Sequence, residues 1–349
     1  MKICLAFDSY KGCLSAADVC KAATEGLFAA KPDAEVMSFP LSDGGEGLVD
    51  CFISMGKVHP VQVVVHGPLM EKVIATYAIS PDNRTAYIEM ASACGLTLVS
   101  PCLRNPMLTT SYGLGELLLD AQSRGVNQVV LGIGGSATCD AGDGMLKALG
   151  DNLLSDMKIT VACDVTNPLY GPSGAAFVFA PQKGATPEQV DLLDMRLRTF
   201  ARITEKRGFA SPADALKPGT GAAGGLGYAL LTYLNAELRS GIDIVLDSCG
   251  FDAQLCDANL VITGEGCSDM QTINGKVASG VLRRSKLYGI KTILMSGQIH
   301  DSDKLLDLGF NQLYCVNEGD PRPIELLMQP DVAAENIRKC CMQLMNEYK

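Results

Sequence analysis

The stretch "ICLAFDSYKGCLSAADVCKAATEGLFAAKPDAEVMSFPLSDGGEG", residues 3–47, decides the fold class. An apolar run over 3–7 stops at Asp8, a helical pattern covers 15–30, and a second strand covers 35–40. A glycine-rich turn and a second helical pattern follow. The order strand, helix, strand, helix predicts the opening of a doubly wound parallel sheet.

The pattern changes near residue 58. Three short strands follow with no helices between them, which is typical of antiparallel pairing, over 61–65, 73–79 and 85–90. Further strands are predicted over 127–133, 158–163 and 175–179, interleaved with helices. From residue 258 the regular alternation of strand and helix returns, including a helix expected over 275–288.

These segments predict an α/β protein in which a Rossmann-like doubly wound parallel-sheet domain is interrupted by a second mixed α/β domain. We assign residues 1–58 and 248–349 to the first domain and 59–247 to the insert. Ligands of such folds bind at the carboxyl ends of strands and between domains. We therefore expect the active site in the cleft between the two domains.

Composition excludes several classes of function. A formal net charge of −10 argues against nucleic acid or an anionic membrane as the main partner. The first residues have too short an apolar run for a signal peptide, and no stretch approaches the roughly 20 apolar residues that span a bilayer. The chain has only three histidines and its cysteines are scattered, which argues against a zinc site. The expectation is a cytoplasmic protein with reduced cysteines.

Polar residues gather where predicted strands end. Asp8-Ser9-Tyr10-Lys11 follows the first strand, Asp43-Gly44-Gly45-Glu46 the second, and Gly264-Glu265-Gly266 the strand over 259–263, with Asp269 beyond. Carboxylates can hold Mg²⁺, a lysine offsets phosphate charge, and glycines let backbone N–H groups reach phosphate oxygens. Each stretch taken alone could be an ordinary turn. Three at matching strand ends favour a phosphate-handling site.

A glycine loop follows the strand at 127–133. Gly132-Ile133-Gly134-Gly135-Ser136-Ala137 matches the dinucleotide fingerprint, as does Gly219–Gly224, with Asp243 placed as a ribose partner. Two observations argue against these matches. No strand precedes Gly219, and no acidic residue ends the βαβ unit of the first match at the position of a ribose partner. The Walker A pattern is absent. The loop therefore predicts phosphate or substrate binding, with Asp140 as a catalytic or metal-binding group and not a helix cap.

Two further stretches carry candidate groups. Asp164 follows the strand at 158–163, in a turn that ends in Asn-Pro. Lys183 precedes a helix whose N-cap is expected at Thr186, and a cation beside a helix N-terminus makes an anion site. The alternative for Lys183 is a solvated loop charge.

The motifs, taken in order, resemble the bacterial glycerate kinase family of the glyoxylate and glucarate pathways. The stretches that carry the resemblance are DSYKGCLSA (8–16), LSDGGEG (41–47), EMASACGL (89–96), NPMLTTSYGLGEL (105–117), GIGGSATCDAGDGML (132–146), ACDVTNPLYGPSGAA (162–176), PQKGATPEQ (181–189), GTGAAGGLG (219–227), GIDIVLD (241–247) and ITGEGCSDMQTINGK (262–276).

The resemblance implies ATP- and Mg²⁺-dependent phosphorylation of a D-glycerate hydroxyl, with 2-phosphoglycerate as the preferred product and 3-phosphoglycerate as the alternative. We expect catalytic roles for Lys11, Asp140, Asp164 and Asp269, and metal binding by Asp43 and Glu46. We expect substrate or phosphate binding by Asp8, Ser9, Gly44, Gly45, Gly134, Gly135, Ser136, Lys183, Gly264 and Glu265. The sequence does not select the catalytic base, and it leaves a homo-oligomer open.

Three departures from the family pattern bear on activity. The chain is shorter than usual between Gly150 and Met157, Cys267 stands where arginine is usual, and Cys139 and Ala141 replace a usual asparagine and glycine beside Asp140. Two rival functions follow: a nicotinamide-dependent 2-hydroxy-acid dehydrogenase, resting on the two glycine matches, and a catalytically silent homologue that binds a sugar acid or nucleotide.

Overall fold

A computed structural model describes residues 1–270, 272 and 276–348. Its strands are β1 Lys2–Phe7, β2 Glu35–Pro40, β3 His59–His66, β4 Lys72–Ile79, β5 Thr85–Glu89, β6 Gln128–Gly132, β7 Lys158–Ala162, β8 Glu237–Arg239, β9 Leu260–Gly264, β10 Cys267–Ser268, β11 Lys291–Ser296, β12 Gln298–Ile299 and β13 Gln312–Cys315.

Its α-helices are α1 Ala16–Ala30, α2 Leu48–Ser54, α3 Ala91–Cys94, α4 Tyr112–Ser123, α5 Asp143–Leu149, α6 Ala175–Phe179, α7 Pro187–Lys206, α8 Ala222–Tyr233, α9 Gly241–Cys249, α10 Phe251–Leu255, α11 Val277–Leu287, α12 Ser302–Leu308, α13 Ile324–Leu327 and α14 Pro330–Glu347. The helix start expected at residue 275, and motif residues 271 and 273–275, lie outside the described residues.

The chain divides into two compact units. The first unit comprises residues 1–43 and 242–349, and the second comprises 44–241. The boundaries therefore lie before α2 and close to the start of α9, not near residues 58 and 247 as expected. Helix α2 belongs to the second unit because its Phe52 ring stacks on Tyr87 of β5 at 4.1 Å between centroids.

A parallel five-stranded sheet forms the first unit, in the order β13-β11-β9-β1-β2. The chain leaves β1 for β2 on one side and later adds β9, β11 and β13 on the other, so the topological switch point lies between β1 and β9. In the register, Phe7 is level with Pro40 of β2 and with Gly264 of β9. The carboxyl ends of these three strands consequently meet at one edge.

Helices cover both faces of this sheet. Alternate residues of β1 pack with apolar side chains of α1 and α14 in one core cluster, and Ala278 and Leu282 of α11 pack with Leu294 of β11 in another. The doubly wound parallel arrangement expected for this part of the chain is present, and the α/β fold class is confirmed.

A mixed six-stranded sheet forms the second unit, in the order β3-β4-β5-β6-β7-β8. Strands β3, β4 and β5 pair antiparallel, as their spacing predicts, and β5 to β8 pair parallel. A buried apolar cluster joins this sheet to α4, α5 and α8.

The strand expected over 175–179 is wrong, because these residues form helix α6. Ala175 and Ala176 are buried against apolar residues of α7, including Leu193 and Leu197. A short apolar run of five residues fits a buried strand and a buried helix equally well by period alone. In the part of the chain that the structure describes, no helix is long and apolar enough to cross a membrane.

Candidate active site

Three carboxylates lie at one edge of the parallel sheet in the first unit. Asp8 follows β1, Asp43 lies just beyond β2, and Glu265 follows β9. Because these strands are adjacent, parallel and in register, their ends bring the three side chains to the switch point. We call Asp8, Asp43 and Glu265 the carboxylate cluster.

Asp8 is a buried member of the cluster, and its pKa is raised. The residue is only 6% exposed, and burial, followed by the negative charge of Asp43, raises the pKa of the Asp8 carboxyl to about 7. The Ser9 N–H, which donates to Oδ1 at 2.7 Å, and the Lys11 charge oppose this shift. Asp8 can therefore exchange a proton near neutral pH.

Glu265 is buried and held by hydroxyl groups. The Thr272 Oγ1 hydroxyl donates to Oε1 at 2.6 Å and Ser268 Oγ donates at 3.3 Å, while the Lys276 ammonium lies 3.5 Å from Oε2. This geometry fixes the segment after β9 and brings Lys276 to the carboxylate cluster. Glu265 is thus a positioning residue for a cation.

Lys11 and Ser9 border a cavity of about 320 Å³ in the first unit. Asp8, Glu265 and Lys276 line the same cavity, and the Lys11 side chain is exposed. The turn that carries Lys11 is anchored by Tyr10, whose hydroxyl donates to the Met295 carbonyl at 2.9 Å. Two carboxylates and two lysines near the switch point therefore face one space or its rim.

Gly264 is required by packing at the end of β9. A Cβ built on this residue would overlap the Met295 carbonyl oxygen of the neighbouring β11. No side chain larger than hydrogen fits this gap. The glycine therefore keeps β9 and β11 close where the carboxylate cluster begins.

A second group of candidate residues lies in the second unit, where Gly44 and Gly45 pack against the glycine loop after β6. A Cβ on Gly132 would clash with the Gly44 carbonyl oxygen, and one on Gly134 would lie 3.2 Å from the α-carbon of Gly45. Gly134 and Gly135 are exposed. Two glycine motifs that are far apart in sequence thus present adjacent backbone at the carboxyl end of the sheet.

Lys183 is buried beneath this loop. It is 4% exposed, and its Nζ donates to Ser136 Oγ at 2.6 Å and to the Thr138 carbonyl at 2.7 Å. Burial lowers the pKa of the Lys183 ammonium to about 8. Thr186 caps α7 as expected, with a full capping box, but Lys183 turns inward and is not a solvated charge. Lys183 therefore holds the loop in place through these two hydrogen bonds.

Asp140 caps the start of α5, contrary to expectation. Its carboxylate accepts hydrogen bonds from the backbone of Gly142 and Gly144, each at 3.1 Å, and from the Ser111 N–H and hydroxyl, each at 2.8 Å. The sequence predicts a helix from residue 143, which α5 confirms, but it does not predict the capping role of Asp140, because Asp140 lies two residues before the N-cap Gly142. These donors make Asp140 an organiser of the loop.

The remaining predicted acids fall into different surroundings. Asp164 is exposed and accepts the Gly241 N–H at 3.1 and 3.3 Å. Glu46 is exposed, and half-buried Asp269 lies just past β10.

Sequence reasoning missed Glu89, which ends β5 and accepts the Val49 N–H at 2.8 Å. Burial is the largest cause that raises the pKa of the Glu89 carboxyl, and the charges of Asp50 and Glu46 add to it. Its position at a strand end was the available signal.

The dinucleotide interpretation of Gly219–Gly224 fails on local geometry. Residues 214–216 before Gly219 form a 3₁₀ turn, and Ala223, Gly224 and Gly225 have positive φ where a fingerprint helix would begin. A Rossmann fingerprint needs a strand before the glycines and a regular helix after them. This segment provides neither.

Among residues 1–270, 272 and 276–348, no group of three or more His, Cys, Asp or Glu side chains is arranged to hold a metal ion. The described residues therefore offer no metal site built from protein side chains alone. Mg²⁺ commonly binds one or two carboxylates and completes its shell with substrate phosphates and water. Asp43, just beyond β2, is one carboxylate that fits such a shared ion.

The comparisons with known proteins agree along the whole chain. The family model described as "Glycerate kinase family" matches residues 3–157 and 151–349. The glycerate kinase of Bacillus subtilis is 42% identical, covering 91% of each chain, and the glycerate 2-kinase of Escherichia coli is 43% identical, covering 86% of each. The chain belongs to the glycerate kinase family. It is therefore a kinase by family, that is, a phosphotransferase.

A solved structure from Salmonella typhimurium LT2, assigned as glycerate kinase 2, matches with a TM-score of 0.88 at 40% identity, covering 99% of this chain and 97% of that one. The two family-model segments overlap at residues 151–157, within the stretch that the sequence comparison predicts to be shorter than the family pattern. There, a compact turn with Leu154 buried leads from α5 into β7, and Asn152 Nδ2 donates to Gln122 Oε1 at 2.6 Å.

The two residues beside Asp140 that we expect to depart from the family pattern have separate consequences. Cys139 is buried in an apolar cluster, and burial raises the pKa of its thiol to about 11. Ala141 has φ of 56°, in the left-handed region that favours glycine. Glycine would adopt this backbone conformation without strain, whereas alanine stores strain here.

Replacing Ala141 with glycine should relieve that strain and raise the free energy of unfolding by about 1 kcal/mol. Urea unfolding of the variant and the parent chain measures the difference. The matched control is Ala137→Gly in the same loop, where φ is not positive, and this change should destabilise. A destabilised Ala141→Gly variant would contradict the interpretation.

Proposed function

We propose that this chain transfers the γ-phosphate of ATP to a hydroxyl of D-glycerate, giving phosphoglycerate and ADP, with Mg²⁺ as cofactor. The observation that carries the proposal is the carboxylate cluster with Lys11 at the switch point of a parallel sheet. Family membership supports the kinase chemistry. The name of the Escherichia coli relative, glycerate 2-kinase, supports the 2-hydroxyl as acceptor and 2-phosphoglycerate as product.

Asp8 is the group we assign as the general base. It is buried at the end of β1 and has a pKa of about 7, so it can accept the hydroxyl proton at working pH. Lys11 on the following turn neutralises phosphate charge as the loose transition state develops. This assignment replaces the open choice among aspartates that the sequence alone allowed.

Asp43 would hold Mg²⁺ that arrives with the nucleotide, which leaves Asp8 free to act as the base. When bound, the ion neutralises phosphate charge. Glu46 lies near Glu89 in the second unit, and its proposed role in metal binding stays a prediction. Asp269, half-buried beside Ser268, likewise stays a proposed catalytic group.

In the second unit we assign substrate binding to the exposed backbone of Gly134 and Gly135, with Gly44 and Gly45 packed beside them. Ser136 and Lys183 hold this loop in place, and Asp164 holds the backbone at Gly241. Asp140 acts as a positioning residue because its oxygens are engaged by backbone and hydroxyl donors.

The direct test is coupled ADP release with D-glycerate, ATP and Mg²⁺, followed by NMR of the product to identify the phosphorylated hydroxyl. Replacing Lys11 with Met should lower kcat/KM by roughly 10²-fold or more, because one charge that stabilises the transition state is removed. The exposed Lys217, which pairs with Asp214 on the surface, gives the control Lys217→Met with unchanged turnover. Folded protein that releases no ADP at millimolar substrate would refute the kinase activity in favour of a silent homologue.

A further inference from the structure

The cavity beside Lys11 extends well beyond the carboxylate cluster. It follows the carboxyl edge of the first unit's sheet and is lined by residues that follow β1, β9, β11 and β13. Its volume of about 320 Å³ is at the lower end of the range for small-molecule sites. A cavity along several strand ends can hold a ligand longer than three carbons.

The lining changes character along the sheet. At β1 and β9 the walls are charged, with Asp8, Lys11 and Lys276. On the side of β13 the lining residues are apolar: Val316, Ile324, Leu327, Met328 and Ala333. The two parts adjoin, because the terminal methyl of Met328 lies 3.4 Å from a Cβ built on Gly12, the residue after Lys11. One space therefore has a charged wall and an apolar wall.

The apolar wall is built by helix α13 and the residue after it. Ile324, Leu327 and Met328 are spaced i, i+3 and i+4, so they lie on one side of the turn. Leu327 is 8% exposed, whereas Ile324 is 41% and Met328 40% exposed. Large apolar side chains left open at a cavity indicate a ligand with an apolar surface.

The polar groups beside this wall are fixed in advance. The Asn317 side chain donates from Nδ2 to the Gly297 carbonyl at 3.0 Å and accepts from Asn336 Nδ2 at 3.0 Å. A side chain held at both ends presents its remaining hydrogen-bonding capacity in one orientation. Such an arrangement suits recognition of a planar heterocycle edge.

Of the two proposed substrates, ATP and D-glycerate, only ATP has both an apolar part, its base, and a charged part, its phosphates. Glycerate is small and polar throughout, and it would leave the apolar wall in contact with water. We propose that this cavity is the nucleoside subsite, with the base against Val316, Ile324, Leu327 and Met328 and the phosphates directed to Lys11 and Lys276. The inference rests on the proposed function, and it identifies which substrate this unit holds.

The exposed Cys267 thiol reports occupancy, because it lines the cavity. Alkylation with iodoacetamide is followed by peptide mass spectrometry, with exposed Cys102 and Cys256, which do not line the cavity, as internal controls. The probes are a non-hydrolysable ATP analogue with Mg²⁺, inorganic tripolyphosphate with Mg²⁺, and D-glycerate alone. We expect the ATP analogue to slow alkylation of Cys267 at least tenfold, tripolyphosphate to slow it less, and D-glycerate to leave it unchanged.

Equal protection by tripolyphosphate and the ATP analogue would overturn the base placement, as would protection by D-glycerate alone or no protection by the analogue. This readout needs no turnover, so it separates the inference from the proposed activity. Turnover of D-glycerate without nucleotide protection of Cys267 would overturn the subsite and leave the kinase assignment standing. Nucleotide protection of Cys267 without turnover of D-glycerate would overturn the kinase assignment and leave the subsite standing.

Variants of the apolar wall provide a second measurement. Ile324→Asn and Met328→Gln change side chains that are already partly exposed, so the fold should tolerate them. Each should raise the KM for ATP about tenfold, the scale for lost contacts in an apolar pocket, while the KM for D-glycerate changes less than about twofold. Leu326→Asn is the matched control, since Leu326 is 41% exposed on the same helix but does not line the cavity. An equal effect of Leu326→Asn would overturn the subsite.

Discussion

Replacing Asp8 with Asn should lower kcat by roughly 10²- to 10⁴-fold, the usual range for loss of a general base. The change is nearly isosteric, so the fold and the Ser9 turn should persist. The introduced amide would still accept the Ser9 N–H at its carbonyl oxygen but would no longer accept the substrate proton. Steady-state ADP release at saturating D-glycerate and ATP measures the loss, and the exposed Asp33→Asn change serves as the control.

The pH dependence separates a base from a merely structural acid. With a pKa of about 7 for Asp8, kcat/KM of the parent enzyme should fall as pH decreases below 7, because the protonated carboxyl cannot accept a proton. The residual activity of Asp8→Asn should lack this limb. A variant that keeps the limb, or keeps more than about a third of kcat, would remove Asp8 from the role of base.

Stability should respond in the opposite direction. Because the folded pKa of Asp8 is raised above the ordinary value of 3.8, the unfolded chain ionises first as pH rises. The contribution of Asp8 to the free energy of unfolding is therefore full below pH 3.8 and is lost as pH rises through about 7. Urea unfolding at pH 8 should find Asp8→Asn at least as stable as the parent enzyme, so lost activity cannot be attributed to unfolding.

The sequence reveals the strand-end acids because parallel strands impose a simple rule. Once β1, β2 and β9 are recognised as parallel neighbours, Asp8, Asp43 and Glu265 must come to one edge. Periodicity also predicts α1, α7 and the antiparallel β3 to β5. Local sequence determines these elements. Each is long or regular enough for the spacing of its apolar residues to distinguish a helix from a strand.

The differences between expectation and structure arise where packing decides. Helix α6 is too short for its period to be diagnostic, and α2 joins the second unit through a ring contact that no local pattern encodes. Asp140 caps α5 through a loop with Gly142 at positive φ, and Lys183 turns inward to Ser136, which lies 47 residues earlier. Burial changes the role of such residues, and burial is a property of the tertiary structure.

Lys183→Met is the second change with a large expected effect. Lys183 is a buried cation whose hydrogen bonds go to the Ser136 hydroxyl and the Thr138 carbonyl, and no carboxylate lies within salt-bridge distance among the described residues. A buried cation is costly, and this one is placed to hold the loop that carries Gly134 and Gly135. Without it the loop loses both anchors, and kcat/KM should fall about 10²-fold.

The control for this change is Lys217→Met, which removes a surface lysine and should leave kcat/KM unchanged. Ser136→Ala should lower kcat/KM less than Lys183→Met, and the double variant should lose no more than Lys183→Met alone, because the two side chains act through one hydrogen bond. Additive losses would show that Lys183 and Ser136 act separately. Activity of Lys183→Met within about threefold of the parent would show that the loop needs no such anchor.

The pH dependence of unfolding distinguishes this buried ammonium from a surface charge. Burial lowers the folded pKa of Lys183 to about 8, below the ordinary value of 10.5, so over this interval the unfolded chain holds a proton that the native chain has released. The free energy of unfolding should therefore rise with pH between 8 and 10.5 by more in the parent enzyme than in Lys183→Met. Urea unfolding at about pH 7 and about pH 9.5 gives this difference directly, and other lysines cancel because both proteins share them. An identical pH response in the two proteins would mean that Lys183 keeps its proton on an exposed, ordinary ammonium, and the loop would then have to be held by the capping contacts of Asp140 alone.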